Sequence, residues 1–87
     1  MITFPLTHRD YKERVARFLE SGGAPFPDEV KLLGRWFTAS HSKGFVLVET
    51  TDAAALFRWS STWADLVDLQ IEPVLADEEA GAVLTEM

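Results

Sequence analysis

The sequence predicts an α+β fold with its elements in the order β-α-β-β-α-β. Three observations carry this reading. Apolar residues alternate with period two at the start of the chain, they recur at helical spacing in two later segments, and a short polar turn joins two apolar runs in between.

Residues 1–6 set Ile2, Phe4 and Leu6 against Thr3 and Pro5, the alternation of a strand. Pro5 cannot donate to a ladder, so its missing N–H must point away from a neighbour, or the strand is bulged or short there. Thr7 and Asp10 read as a capping box opening a first helix, with Tyr11, Val15, Phe18 and Leu19 on one face. The charged run from Lys12 to Arg14, with Arg17 and Glu20, takes the solvated side. Gly22-Gly23 stops this helix, because glycine accepts the left-handed conformation past a helix end. Residues 24–29 form a loop fixed by two prolines. Residues 30–39 (VKLLGRWFTA) and 44–50 (GFVLVET) are strands joined by a turn over residues 40–43, a hairpin. Thr51 or Asp52 caps a second helix with Ala55, Leu56, Trp59, Trp63 and Leu66 on one face. Residues 67–75 (VDLQIEPVL) read as a fourth strand with Pro73 at an edge or bulge. Asp77-Glu78-Glu79 opens a short terminal helix with Ala80, Val83 and Leu84 on its apolar side. The order is that of a ferredoxin-like fold, two helices covering one face of a four-stranded antiparallel sheet.

Composition bounds the function. The 87 residues are 47% apolar, which fits one globular domain over residues 1–87. Eight basic against fourteen acidic residues give a net charge of −6, which argues against nucleic acid as a partner. The chain has no cysteine, which excludes disulfides, thiol nucleophiles and thiolate-bound metals. No apolar run approaches a membrane span of about 20 residues, and the start lacks the pattern of a signal peptide. The expected setting is cytoplasmic, without a membrane partner.

The strands are apolar on both faces. Phe45 and Leu47 oppose Val46 and Val48, while Leu33 and Phe37 oppose Leu32 and Trp36. Two helices cover only one face, and monomers avoid a large exposed apolar patch. A second copy packed sheet to sheet solves this as a homodimer, a dimeric α+β barrel with a cavity between subunits. The other solution folds residues 76–87 back over the open face, but twelve residues are few for four strands.

The blocks Leu32-Leu33-Gly34-Arg35-Trp36, Gly44-Phe45-Val46-Leu47-Val48-Glu49-Thr50, Trp63-Ala64-Asp65-Leu66 and Ile71-Glu72-Pro73-Val74-Leu75 resemble domain-of-unknown-function family 3303. Phe18-Leu19-Glu20-Ser21-Gly22-Gly23 is similar to the end of that family's first helix. The resemblance implies a small α+β protein of the dimeric-barrel type with no established activity. Sequences of this kind often carry His after Gly-Arg-Trp; this chain has Phe37 there, which removes support for histidine chemistry at that position.

Few residues carry chemical signals. His8 and His41 are the only histidines, one expected at a helix start and one in a turn, without the converging ligands a metal site needs. No metal and no cofactor is expected. Ser60, Ser61 and Thr62 lack a His-Asp pair at nucleophile spacing, and no G-x-S-x-G occurs. Trp59 and Trp63, four apart, read as packing against the sheet; Trp36 is the tryptophan most open to ligand stacking. Placing Ala39 opposite Phe45 sets Phe37 opposite Leu47 and Arg35 opposite Glu49, an attractive cross-strand pair. The expected ligand-binding residues are therefore Arg35, Glu49, Phe37 and Trp36, with Arg35 orienting an anionic or carbonyl group and Glu49 holding it or acting as a base. Three functions stay open: binding of a small apolar or anionic ligand in the inter-subunit cavity, a structural or interaction role with a filled interface, and a cofactor-free enzyme of monooxygenase or isomerase type.

Overall fold

The structure is a computed structural model of the chain and describes residues 1–7 and 9–87. It is α+β, with β1 (Ile2–Pro5), α1 (Tyr11–Glu20), β2 (Lys31–Phe37), β3 (Lys43–Glu49), α2 (Ala53–Ser61), β4 (Gln70–Ile71) and α3 (Asp77–Thr85). The four strands form one antiparallel sheet in the order β2-β3-β1-β4, the ferredoxin-like arrangement. α1 and α2 lie over the same face.

Local chemistry explains most element ends. Gly22 and Gly23 adopt φ of 80° and 95° and return N–H bonds to Leu19 and Phe18 carbonyls, ending α1 as the glycine pair predicts. The Asp52 carboxylate accepts the Ala55 N–H at 2.9 Å and caps α2. In the hairpin, the Thr38 N–H meets the Lys43 carbonyl, and the Thr38 hydroxyl accepts N–H bonds from Ser42 and Lys43. α1 starts at Tyr11, later than the expected capping box. Asp10 is left-handed, with φ of 63°, and its side chain makes no capping bond. The expectation for His8 lies outside the described residues.

The fourth strand is far shorter than residues 67–75, and Pro5 supplies the reason. The Leu6 N–H reaches toward β3, to the Ser42 carbonyl. N–H directions alternate along a strand, so Pro5 would have to donate toward β4, and it has nothing to donate. Pairing between β1 and β4 accordingly runs only through Ile2↔Ile71 and Thr3↔Gln70, extended by bonds between Met1 and Glu72.

The hairpin register also departs from expectation. Arg35 lies opposite Val46, Trp36 opposite Phe45 and Phe37 opposite Gly44, and a bulge between Leu32 and Gly34 then sets Lys31 opposite Glu49. The pairings of Arg35 with Glu49 and Phe37 with Leu47 are thus overturned. Thr38 closes the loop earlier than an Ala39–Phe45 pairing requires, and the resulting odd shift turns alternate side chains to the other face. Arg35 and Phe37 point toward the helices with Val46, while Trp36 and Glu49 lie on the opposite face with Phe45 and Leu47.

The centre of the fold is small. Ile2 and Val46, directly opposed on β1 and β3, are the largest fully buried side chains, joined in the core by Ala24, Val30 and Ala55. α3 contributes no buried residue and does not fold back over the open face. The molecule measures 49 × 29 × 18 Å, with a radius of gyration of 14.9 Å. A compact chain of this length would have about 12 Å.

Candidate functional site

The apolar stripe of α1 does not reach a closed core. Tyr11, Val15, Phe18 and Leu19 line one side of a cavity of about 380 Å³ between the helices and the sheet. This volume falls in the range of small-molecule sites, about 300–1,000 Å³. The floor comes from Phe4, Arg35, Phe37 and Val46 of the sheet, the far wall from Trp59 and Trp63. Glycine shapes the floor: the Phe4 ring rests where a Cβ on Gly44 would stand, so only glycine at position 44 lets this ring lie flat across the sheet. Phe37 meets Phe4 and Phe18 edge to face, at centroid distances of 6.5 and 6.4 Å.

Arg35, Arg14 and Trp59 place nitrogen donors along this largely apolar wall. Arg35 donates to the Gly23 carbonyl at 2.6 Å and the Ala24 carbonyl at 3.2 Å. Its guanidinium lies 5.4 Å from the Phe18 ring centre and 5.9 Å from that of Phe26. No carboxylate pairs with it among the described residues, and burial lowers its pKa from the ordinary arginine value. It remains protonated at neutral pH nonetheless. Arg14 is 6% exposed and donates to the Thr7 and Arg9 carbonyls, yet its Nε–H is buried without an acceptor. Trp59 stacks on Phe26 at 4.2 Å, and its indole Nε1–H is likewise buried without an acceptor. A buried donor left unpaired costs about 1–3 kcal/mol.

The lining contains no Asp or Glu among the described residues. The nearest ion pair lies outside it, where Arg17 holds Asp65 in a two-point bond at 2.7 and 3.0 Å and ties α1 to the turn after α2. That bond to Arg17 lowers the Asp65 pKa from its ordinary value. No group of three or more His, Asp or Glu able to hold a metal occurs among the described residues.

The residues singled out from sequence therefore divide. Arg35 and Phe37 line the cavity; Trp36 and Glu49 sit on the other side of the sheet, where the Trp36 ring covers Gly34. The four are not brought together. The cavity itself lies within one chain and is a different space from the inter-subunit cavity expected from the sequence. His41 is an exposed turn residue, as expected, and also borders the cavity mouth. Trp59 and Trp63 pack toward the sheet but are only half-buried, because the space they face is open. Arg14 was hidden in a charged run. The signal that would have found it is its spacing, three residues after Tyr11 and four before Phe18, inside the stripe that faces the cavity.

A family model described as "Domain of unknown function (DUF3303)" matches residues 1–87, and the chain belongs to that family. No curated protein and no solved structure shows a significant match to it.

Proposed function

We propose that this member of a family without assigned function is a small-molecule binding protein whose ligand sits between the helices and the sheet. The observation that carries this reading is the apolar cavity of about 380 Å³, walled by aromatic rings and holding buried donors without acceptors. A cavity of this kind is costly in an 87-residue fold, since rings that face open space lose packing contacts. A bound apolar molecule restores them.

The direct test is titration with the neutral fluorophore N-phenyl-1-naphthylamine. Saturable enhancement of its emission is expected in the native protein, along with loss of binding in Val15→Trp, which fills the cavity from α1. Val15 is 39% exposed, so the fold has room for this change. Enhancement that Val15→Trp leaves unaltered would place the fluorophore elsewhere and refute the site.

The same reading includes a second copy of the chain on the uncovered sheet face. Trp36, Phe45 and Leu47 lie there, with Leu33 exposed at the bulge. The chain exposes 6568 Å², against about 5,200 Å² for a folded monomer of its mass. The surplus of roughly 1,400 Å² exceeds the roughly 800 Å² each partner buries in a standard interface. Sedimentation equilibrium at micromolar concentration is expected to give twice the 9.8 kDa chain mass. Trp36→Lys is expected to give single chains. A native monomer at those concentrations would refute the pairing and leave the cavity reading untouched.

A further inference from the structure

We infer that the ligand of this cavity is an organic anion, an apolar body ending in a carboxylate or a similar oxygen-rich group, with the charged end held by Arg35, Trp59 and Arg14. This rests on the reading of the cavity as a binding site and specifies its chemistry.

Four observations point the same way. The polar groups of Arg14, Arg35 and Trp59 are all donors, the other polar residues of the lining are Tyr11, Thr38 and His41, and with no carboxylate among them the cavity is complementary to an acceptor. Two of these donors, the Nε–H of Arg14 and the Nε1–H of Trp59, are buried and unpaired in a cavity-lining residue. Both arginines lack a carboxylate partner among the described residues, although acidic side chains outnumber basic ones fourteen to eight. The cavity therefore carries positive charge inside a chain of net charge −6.

Two of these groups, Arg35 and Trp59, share one aromatic neighbour. Arg35 lies against the Phe26 ring, and Phe26 stacks on Trp59, so the Arg35 guanidinium and the Trp59 indole flank one aromatic plate. The backbone carbonyls of Gly23 and Ala24 hold Arg35 from behind. Ala24 is itself buried, with φ of 52°, a conformation that fixes where its carbonyl points. The guanidinium is thus preset before any ligand arrives, which lowers the entropy lost on binding. A cationic ligand would meet two fixed positive charges with no acid to offset them. A neutral apolar ligand would leave the two buried N–H groups unpaired.

The test compares three probes with one apolar body: decanoate, decanol and decylamine, each titrated by calorimetry below its micelle concentration. Decanoate is expected to bind at least tenfold more tightly than decanol, and decylamine more weakly than decanol. Trp59→Phe keeps the ring that stacks on Phe26 and removes only the N–H. It is expected to weaken decanoate several-fold and leave decanol unchanged, as is Arg35→Met, with circular dichroism confirming that each variant is folded. Decanol binding as tightly as decanoate, or equal loss for both ligands in Trp59→Phe, would overturn the anion assignment while the cavity reading stands. Binding of none of the three probes would overturn the cavity reading, and the anion assignment with it.

Discussion

Replacing Ile2 by Ala tests whether the second residue of the chain sits at the centre of the fold. Residues this close to a terminus usually tolerate change, because chain ends tend to fray. Here Ile2 is 0% exposed, lies opposite Val46 on one side and Ile71 on the other, and does not border the cavity. Truncating a buried Ile to Ala costs about 2–5 kcal/mol, with the larger values where the surroundings cannot collapse. β1 is hydrogen-bonded on both sides, so the sheet cannot close over the gap. The total stability of a chain this long is on the order of 4–13 kcal/mol. Such a loss lowers the melting temperature by roughly 8–40 °C, taking about 4–8 °C per kcal/mol. Urea and thermal unfolding followed by far-UV circular dichroism measure it, with Ile2→Val as the graded control at about 0.5–1.5 kcal/mol. A loss below about 1 kcal/mol for Ile2→Ala would show that β1 is peripheral and that the burial argument is wrong.

Three further outcomes follow from single contacts. Gly44→Ala drives a Cβ into the Phe4 ring; denaturation should show a cost of about 1–3 kcal/mol and naphthylamine binding should weaken as the ring swings into the cavity. Gly34→Ala meets only the Trp36 ring, which is 52% exposed and free to move aside, so its cost should be smaller than that of Gly44→Ala. The lowered pKa of Asp65 contributes stability above the unfolded aspartate value of about 3.9, and this contribution is lost as pH falls through the folded value. Melting curves between pH 2 and 7 should therefore show a shallower acid-side decline in Asp65→Asn than in the native chain.

The order of elements was legible because each signal is local. Period-two alternation gave β1, the glycine pair gave the end of α1, and Asp52 gave the start of α2. Signals that act across the sheet were not legible in the same way. Pro5 announced an irregular β1, yet its main effect falls on β4, the strand it cannot bond. The Thr38-centred loop turned Arg35 away from Glu49, the bulge at Leu33 set Lys31 opposite Glu49, and neither shows in an apolar pattern that reads the same on both faces. The site suffered most from this. Arg35 and Phe37 line the cavity although the pairing that singles them out is not the one the sheet adopts, while Arg14 reads as solvated surface and Trp59 as plain core. What distinguishes them is an N–H left without an acceptor, a property of the assembled fold.

The three tryptophans offer the most direct measurement of the central claim. Trp59 and Trp63 line the cavity, and Trp36 lies on the opposite face of the sheet. Their indole N–H groups give three separate signals in a proton–nitrogen correlation spectrum, assigned by single Trp→Phe variants. Titration with decanoate is expected to shift the Trp59 signal most, move Trp63 with it, and leave Trp36 in place. A shift of Trp36 with Trp59 and Trp63 unmoved would put the ligand on the outer sheet face and contradict the account.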